Sequence, residues 1–405
     1  VKTAIWLYLF LFLAVFDLHA QYPILTPFAI SLGAAPTFIG WMMGIYSLTH
    51  LPGNLIAGTQ IDKHGSRRYI VFSLVGAGFI LLLQAHIHTP WQLLALRSIS
   101  GFVLAFLSPA CLALLAQLSN DPVKQGKYMS GHGVVHTLAS VVSPAAGAII
   151  VGAMGFSATF SSLGYLLILT GVIALLTMPR GLVRQPQLLT EPAKPGLAPS
   201  GSAKATSDPT PADVPKAFLP VSWRYFMLPL VIACAQGILF FELPLRGGGH
   251  SSMMSTGLLF SIISIGALFT LSMLFLNRYS PKLRLVAGVL LMSLSFFAMA
   301  AIPQISLSIV LFVLGMSKGI IFPAMATLFI HLSGGSKLGR IFSLQSIATS
   351  IGSFIGPITA GQLRLGVSPY FIAFILLMIG ILLLPYYTSR HTAPLSSSDA
   401  NSILG

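Results

Sequence analysis

Charge is what this sequence has least of. Asp, Glu, Lys and Arg make up 7% of its 405 residues, against about 25% in an average soluble domain. A soluble chain of this length would divide into two or three units, each needing a charged surface, and there is too little charge to clothe them. Acid is scarcest, with Asp plus Glu numbering 8. The 2 cysteines, Cys111 and Cys234, stand inside apolar runs, which excludes a disulfide framework. Lys plus Arg number 22, for a net charge of +14. Nucleic-acid binding would need those bases clustered on a water-facing domain, and the apolar runs leave no room for one. Apolar residues account for 55% of the chain. The sequence is that of an integral membrane protein.

A helix crosses the hydrocarbon layer in about 20 residues. Apolar runs of that length fall near 3–22, 37–58, 69–88, 91–117, 128–153 and 157–178, and again near 224–245, 253–276, 285–302, 305–332, 340–363 and 368–388. The pattern predicts an all-α membrane protein with twelve transmembrane helices. Barrel strands would alternate over about ten residues instead. The first run is too long for a removable signal peptide, and Asp17 interrupts it.

Basic residues set the orientation. Lys2, Lys63, Arg67, Arg68, Lys124, Lys127, Arg278, Lys282, Arg284, Lys337, Arg340 and Arg390 fall in loops or ends on one side, with the bases of the central segment. Arg246 and Arg364 alone fall in loops on the other. This bias predicts a multi-pass protein of a bacterial inner membrane with both termini cytoplasmic. Residues 181–222 are rich in Pro, Ala, Ser and Gly and read as a flexible cytoplasmic linker between six-helix bundles at 1–180 and 223–391, with a disordered tail at 392–405.

The halves repeat. Gly101 and Pro109 match Gly315 and Pro323, Gly126-Lys127 matches Gly339-Arg340, Pro144 and Gly147 match Pro357 and Gly361, and Pro27 with Gly40 matches Pro244 with Gly257. Two like-oriented halves imply a pseudo-two-fold axis along the membrane normal, with a transport path between them.

The stretch Gly58-Thr-Gln-Ile-Asp62-Lys63-His64-Gly65-Ser66-Arg67-Arg68, between runs 2 and 3, resembles the signature G-x-x-x-D-[RK]-x-G-[RK]-[RK]-[RK] of the major facilitator superfamily, departing from it at Ser66. Gly58 is expected to admit a neighbouring helix, Gly65 to permit the tight turn, and the bases to anchor on lipid headgroups. The resemblance implies that Asp62 meets the start of span 11, where Arg340 stands, as a conformational gate. Arg97-Ser-Ile-Ser100-Gly101 is similar to R-x-x-Q-G. Ser143-Pro144-Ala-Ala-Gly147-Ala148 is similar to the G-P-x-x-G-G motif of antiporters, and its copy Gly352, Gly356, Pro357 and Gly361 is better preserved; both are helix-packing motifs.

A charge in the hydrocarbon region costs about 3 kcal/mol, so each marks a functional candidate. There are four: Asp17, Arg97, Glu242 and Lys318, on spans 1, 4, 7 and 10, which line the central cavity in the family. At 1.5 Å per residue, Asp17 and Arg97 both lie roughly 21 Å from the cytoplasmic side. They are expected to share one level, with Asp17 as the protonatable group or as half of a permanent ion pair. Glu242, before Pro244 and near Arg246, is a second proton carrier or a solvated acid at the outer mouth. Lys318 attracts an anionic group or snorkels to the cytoplasm. Gln21, Phe102, Phe106, Phe240, Phe241, Lys318 and Phe322 are the expected substrate cavity, apolar enough for an amphiphilic or lipophilic solute. His19, His50, His132, His136 and His331 lie in spans. His132 and His136 have metal-ligand spacing, but without accompanying carboxylates they read as proton relay or packing.

No metal cluster or nucleophile–base set stands at recognisable spacing, so neither an enzyme nor a cofactor or metal is expected. The reading is a monomeric secondary transporter exporting a small molecule against protons. A proton-coupled or facilitative importer of a small, anionic metabolite stays open, as does a lipid flippase or membrane sensor.

Overall fold

The computed structural model describes residues 2–118, 122–178, 222–246, 250–302, 304–332, 338–364 and 366–384. Apart from Ser222, the expected linker 181–222 lies outside these, as does the tail 392–405. The described residues form helices joined by short turns, and the helices resolve into twelve spans.

Proline and glycine explain where they bend. Span 1 is two helices, Lys2–Ala20 and Tyr22–Ser31, parted at Gln21. Pro23 has no N–H to offer the preceding turn, and its ring displaces the carbonyl four residues back. Span 2 is Pro36–His64 and span 3 Ser66–Gln84, separated by Gly65 alone at φ 84°, a left-handed value that a side chain resists. Span 4 is Pro90–Leu104 continued by Leu107–Gln117, and the break at Ala105-Phe106 stands one turn before Pro109. Spans 5 and 6 are one helical stretch, Pro122–Thr177, folded back at Gly155, whose φ is 78°. Spans 7 to 12 are Arg224–Leu245, His250–Ser272, Pro281–Ala301, Leu307–Leu332, Leu338–Leu363 and Pro369–Leu382.

Eight helical segments are by themselves long and apolar enough to cross a membrane, and one of them, Gly131–Thr177, contains both spans 5 and 6. Spans 2, 11 and 12 complete the twelve. Span 12 has 14 helical residues. Spans 2 and 11 pack together and carry polar faces: Ser47, His50 and Asn54 on one, Gln345, Ser346, Thr349 and Ser353 on the other, all lining a cavity of about 420 Å³. The missing hydropathy of these two helices is turned toward that cavity.

Within each half, the repeat reappears as geometry. A methyl group added at Gly101 would strike the Tyr46 carbonyl oxygen, and one at Gly315 would strike that of Ile263, so spans 4 and 2 touch as spans 10 and 8 do. The same symmetry governs how the halves meet. A methyl group at Gly40 would stand 2.5 Å from the Pro357 carbonyl oxygen, and one at Gly257 would stand 2.6 Å from that of Pro144. The halves are therefore joined by two crossed contacts, span 2 on span 11 and span 5 on span 8, each between a glycine and the carbonyl oxygen of a proline inside a helix. Trp41 on Phe354, with ring centroids 5.9 Å apart, extends the first. All these residues lie toward the end of the bundle away from the basic loops.

The other motif residues pack as follows. Methyl groups at Gly147, Gly352, Gly356 and Gly361 would strike the backbones of Ala20, Leu230, Cys234 and Pro36, and the Pro357 ring abuts Gly237. Gly58 departs from expectation: a methyl group there would meet nothing within 4 Å. It lies in the last two turns of span 2, beside the basic loop, and no helix approaches it there. Arg67 does not reach outward either, since its Nη2 donates to the Leu175 carbonyl oxygen at the end of span 6. A cation there complements the C-terminal end of that helix. Lys63 and Arg68 are exposed. The side chains of Asp62 and Arg340 lie outside the described residues, and so does the contact expected between them.

These packing distances set stability. We expect Gly257→Leu to lower unfolding free energy by about 1–3 kcal/mol, because the side chain must displace backbone. Gly65→Ala should cost about 1–2 kcal/mol for its left-handed backbone. Gly58→Ala should be neutral or stabilising by up to about 1 kcal/mol through helix propensity. Thermal unfolding of the purified variants in one detergent checks the ranking.

Candidate functional site

The break in span 1 carries the site's centre. Asp17 and Gln21 are one helical turn apart and so share a face. Gln21 Nε2 donates to Asp17 Oδ1 and Oδ2, both at 3.0 Å, and Arg97 Nη1 on span 4 donates to Gln21 Oε1 at 3.1 Å. Asp17, Gln21 and Arg97 are 2%, 3% and 5% exposed. Asp17 and Arg97 share one level, as expected, but in place of the direct ion pair held open as an alternative they are joined through the Gln21 amide. Gln21 belongs to this chain of hydrogen bonds, and neither cavity of the central space is lined by it. The Arg97 guanidinium lies over the Tyr46 ring, 4.5 Å from its centroid, while its Nε has no hydrogen-bond partner among the described residues.

Between the halves lies a cavity of about 430 Å³, reached by spans 1, 5, 7, 8 and 10. Of the expected cavity residues, Phe240, Lys318 and Phe322 line it. Phe241 is fully buried, its ring against Gly361. Phe106 is buried against Tyr69 and Phe72 within the first half, and Phe102 packs on Phe106 at 5.4 Å. Adjacent residues on a helix point about 100° apart, so Phe240 and Phe241 cannot both face one cavity.

Residues unforeseen as cavity lining complete the wall: Tyr22, Gln236 and Phe260, with His19, His132 and His136. Tyr22 of span 1 stacks on Phe240 of span 7 at 4.6 Å, with the planes 16° apart. This ring pair bridges the halves and also borders a smaller cavity of about 110 Å³ that reaches Arg97. It separates the main cavity from the Arg97 side. His19 and His136 stand edge to face at 5.7 Å, and His132 and His136 lie 6.4 Å apart. No group of three or more metal-binding side chains suited to an ion is present among the described residues. His50 bonds Asn54 at 2.9 Å in the polar cavity instead. The side chain of His331 lies outside the described residues.

The two remaining charges differ sharply. Lys318 Nζ is directed over the Phe240 ring, 5.7 Å from its centroid, and so points into the cavity and not along a snorkelling path. Glu242 is 6% exposed and not solvated. Its Oε1 is 3.4 Å from Arg364 Nε, a partner from beyond span 11. The nearer base in sequence, Arg246, turns aside, with its guanidinium 4.6 Å over the Tyr370 ring and Nη2 bonded to the Met299 carbonyl oxygen. Glu242 has no place on the cavity wall.

Comparison with known proteins agrees with this architecture. The chain matches the family Major Facilitator Superfamily over residues 7–357, with a second match over 276–402. It is 22% identical over 337 residues to the multidrug resistance protein MdtG of Escherichia coli O17:K52:H18 (strain UMN026 / ExPEC), covering 78% of this chain and 76% of that protein. To MdtG of Escherichia coli (strain K12 / DH10B) it is 23% identical over 329 residues, with the same coverage of 78% and 76%. Among solved structures, a bacterial homologue of the human lysosomal transporter Spinster, inward-facing and occupied, superposes with a TM-score of 0.71 at 14% identity, covering 94% of this chain and 95% of that one. The unoccupied inward-facing form gives a TM-score of 0.68 at 14% identity. With twelve spans in two like halves and a family match across nearly the whole length, the chain belongs to the Major Facilitator Superfamily of membrane transporters.

Proposed function

We propose that the protein is a proton-driven exporter of an amphiphilic organic solute, working by alternating access in a bacterial inner membrane with both termini cytoplasmic. The observation that carries this reading is the buried chain Asp17–Gln21–Arg97 set at the kink of span 1, beside a cavity between the halves. Two relatives named as multidrug resistance proteins support the export direction.

The bias of basic residues puts the basic end in the cytoplasm. The crossed contacts at Gly40–Pro357 and Gly257–Pro144 then close the outer side, and the cavity opens inward. Solute enters from the cytoplasm or inner leaflet. Rocking of the halves closes the inner side and parts the outer contacts, as in alternating access generally.

Asp17 is suited to couple protons to that motion. As a carboxylate it accepts both bonds from the Gln21 amide, which in turn holds Arg97. Protonation gives the carboxyl a donor and weakens it as an acceptor, so the amide can turn and release Arg97. Arg97 sits over Tyr46 of span 2, the helix that meets span 11 across the halves. A proton on Asp17 thus reaches the interface through three side chains. Glu242, paired with Arg364 and off the cavity wall, serves better as a structural ion pair.

A second reading, import of a small anion, is favoured by Lys318, a cation in the cavity without a carboxylate beside it. Proteoliposomes holding a pH-sensitive dye, with a solute panel added under an imposed pH gradient, separate the two. Export predicts protons moving opposite to solute; co-movement would overturn it. Asp17→Asn should abolish proton flux while leaving solute exchange down its own gradient. If both fluxes survive in that variant at full rate, Asp17 is not the coupling site. Gln21→Leu should lower coupled transport about tenfold or more, the effect of losing a hydrogen bond to a charged group, in a variant that still folds.

A further inference from the structure

We propose that the cavity formed by His19, His132, His136 and Lys318 is an anion subsite, so that the transported solute is an amphiphile with an anionic head and not a lipophilic cation. This deepens the export reading and rests on it for the word transported.

Lys318 is one of four charges inside the spans, and the other three are engaged: Asp17 with Gln21, Arg97 with Gln21 and Tyr46, Glu242 with Arg364. Lys318 is set over the face of Phe240, a weak electrostatic partner that leaves its N–H groups free for an acceptor. The cavity wall contains no Asp or Glu. Its ionisable groups are Lys318, three histidines and the Tyr22 phenol, so no carboxylate stands there to offset the charge of a cationic head.

The imidazoles add directed donors. His19 and His136 face each other from spans 1 and 5, with ring centroids 5.7 Å apart, and His132 follows one turn before His136. His19 Nδ1 donates to the Val15 carbonyl oxygen at 2.9 Å, which leaves Nε2 of the neutral ring an acceptor, so the imidazole donors available to an anion are those of His132 and His136. An anion therefore meets Lys318 from the second half and imidazoles from the first. It neutralises Lys318 and ties the halves together. Phe260, Ile263, Ala267, Leu271 and Phe322 line the rest of the wall and suit an apolar tail. The volume of about 430 Å³ lies in the usual range for small-molecule sites.

The test uses the full chain in lipid nanodiscs, with empty nanodiscs as control, and equilibrium dialysis of radiolabelled octanoate and octyltrimethylammonium. These probes share a tail and differ in the sign of the head. The proposal predicts saturable octanoate binding, none for octyltrimethylammonium, and octanoate affinity about tenfold or more weaker in Lys318→Gln, as for loss of a charged hydrogen-bond partner. Lys318→Arg should keep binding. Saturable binding of the cation at equal or better affinity would overturn the proposal, as would unchanged octanoate affinity in Lys318→Gln. Should Lys318→Gln fail to fold, His136→Gln makes the same comparison, and unaltered octanoate affinity in it overturns the subsite. No pH gradient is applied. Octanoate binding through Lys318 without proton-driven transport would therefore contradict the export reading alone, and transport without such binding would contradict the anion subsite alone.

Discussion

Everything in this structure hangs on two glycine–proline contacts crossed between the halves. Pro144 and Pro357 each stand inside a helix, and Gly40 and Gly257 each let a neighbouring backbone come within the reach of a single methyl group. Lipid gives helices little hydrophobic reason to associate, so close packing of small residues has to supply the cohesion. Because these contacts sit toward one end, they leave the other end open. The cavity, its histidines and the polar faces of spans 2 and 11 are all consequences of that asymmetry.

The site is arranged around the same interface. Span 1 breaks where Pro23 withholds an N–H, and the break places Gln21 between Asp17 and Arg97. The next residue, Tyr22, crosses to stack on Phe240 of the second half. Phe240 in turn receives Lys318. Buried acid, aromatic bridge and cavity cation are thus linked by consecutive contacts that begin on one short stretch of span 1. Solute occupancy and protonation can affect each other through it without a long pathway.

Much of this was legible in the sequence. Apolar runs marked all twelve spans, since lipid demands continuous hydrocarbon over a fixed length, but the first stopped at 22 and missed most of Tyr22–Ser31, and the second stopped at 58, short of His64. The matched Gly and Pro positions marked the very residues that meet across the halves. The site was read less well, for definite reasons. An aromatic residue on a cavity helix faces the cavity only on one stripe, so Phe240 and Phe241 parted company. Gln21 was legible as Asp17's neighbour by its four-residue spacing, yet its role depended on Arg97 reaching it from span 4. The Glu242–Arg364 pair joins residues far apart in sequence and leaves no local trace. Gly58 fits a motif, but a motif does not say whether a helix approaches it.

The central claim is that transport requires the Gly40–Pro357 side of the interface to open. A side chain at Gly40 would itself part this contact, but Trp41 and Phe354 face each other beside it with ring centroids 5.9 Å apart, so cysteines in their places lie within reach of a short bifunctional thiol reagent. The most direct measurement is solute transport by Trp41→Cys/Phe354→Cys, with Cys111 and Cys234 replaced by alanine, in proteoliposomes before and after both thiols are oxidised to a disulfide-linked bridge by a bis-methanethiosulfonate. The account predicts that the oxidised protein binds solute but transports none, and that reduction restores transport. Undiminished transport through the oxidised protein would contradict it.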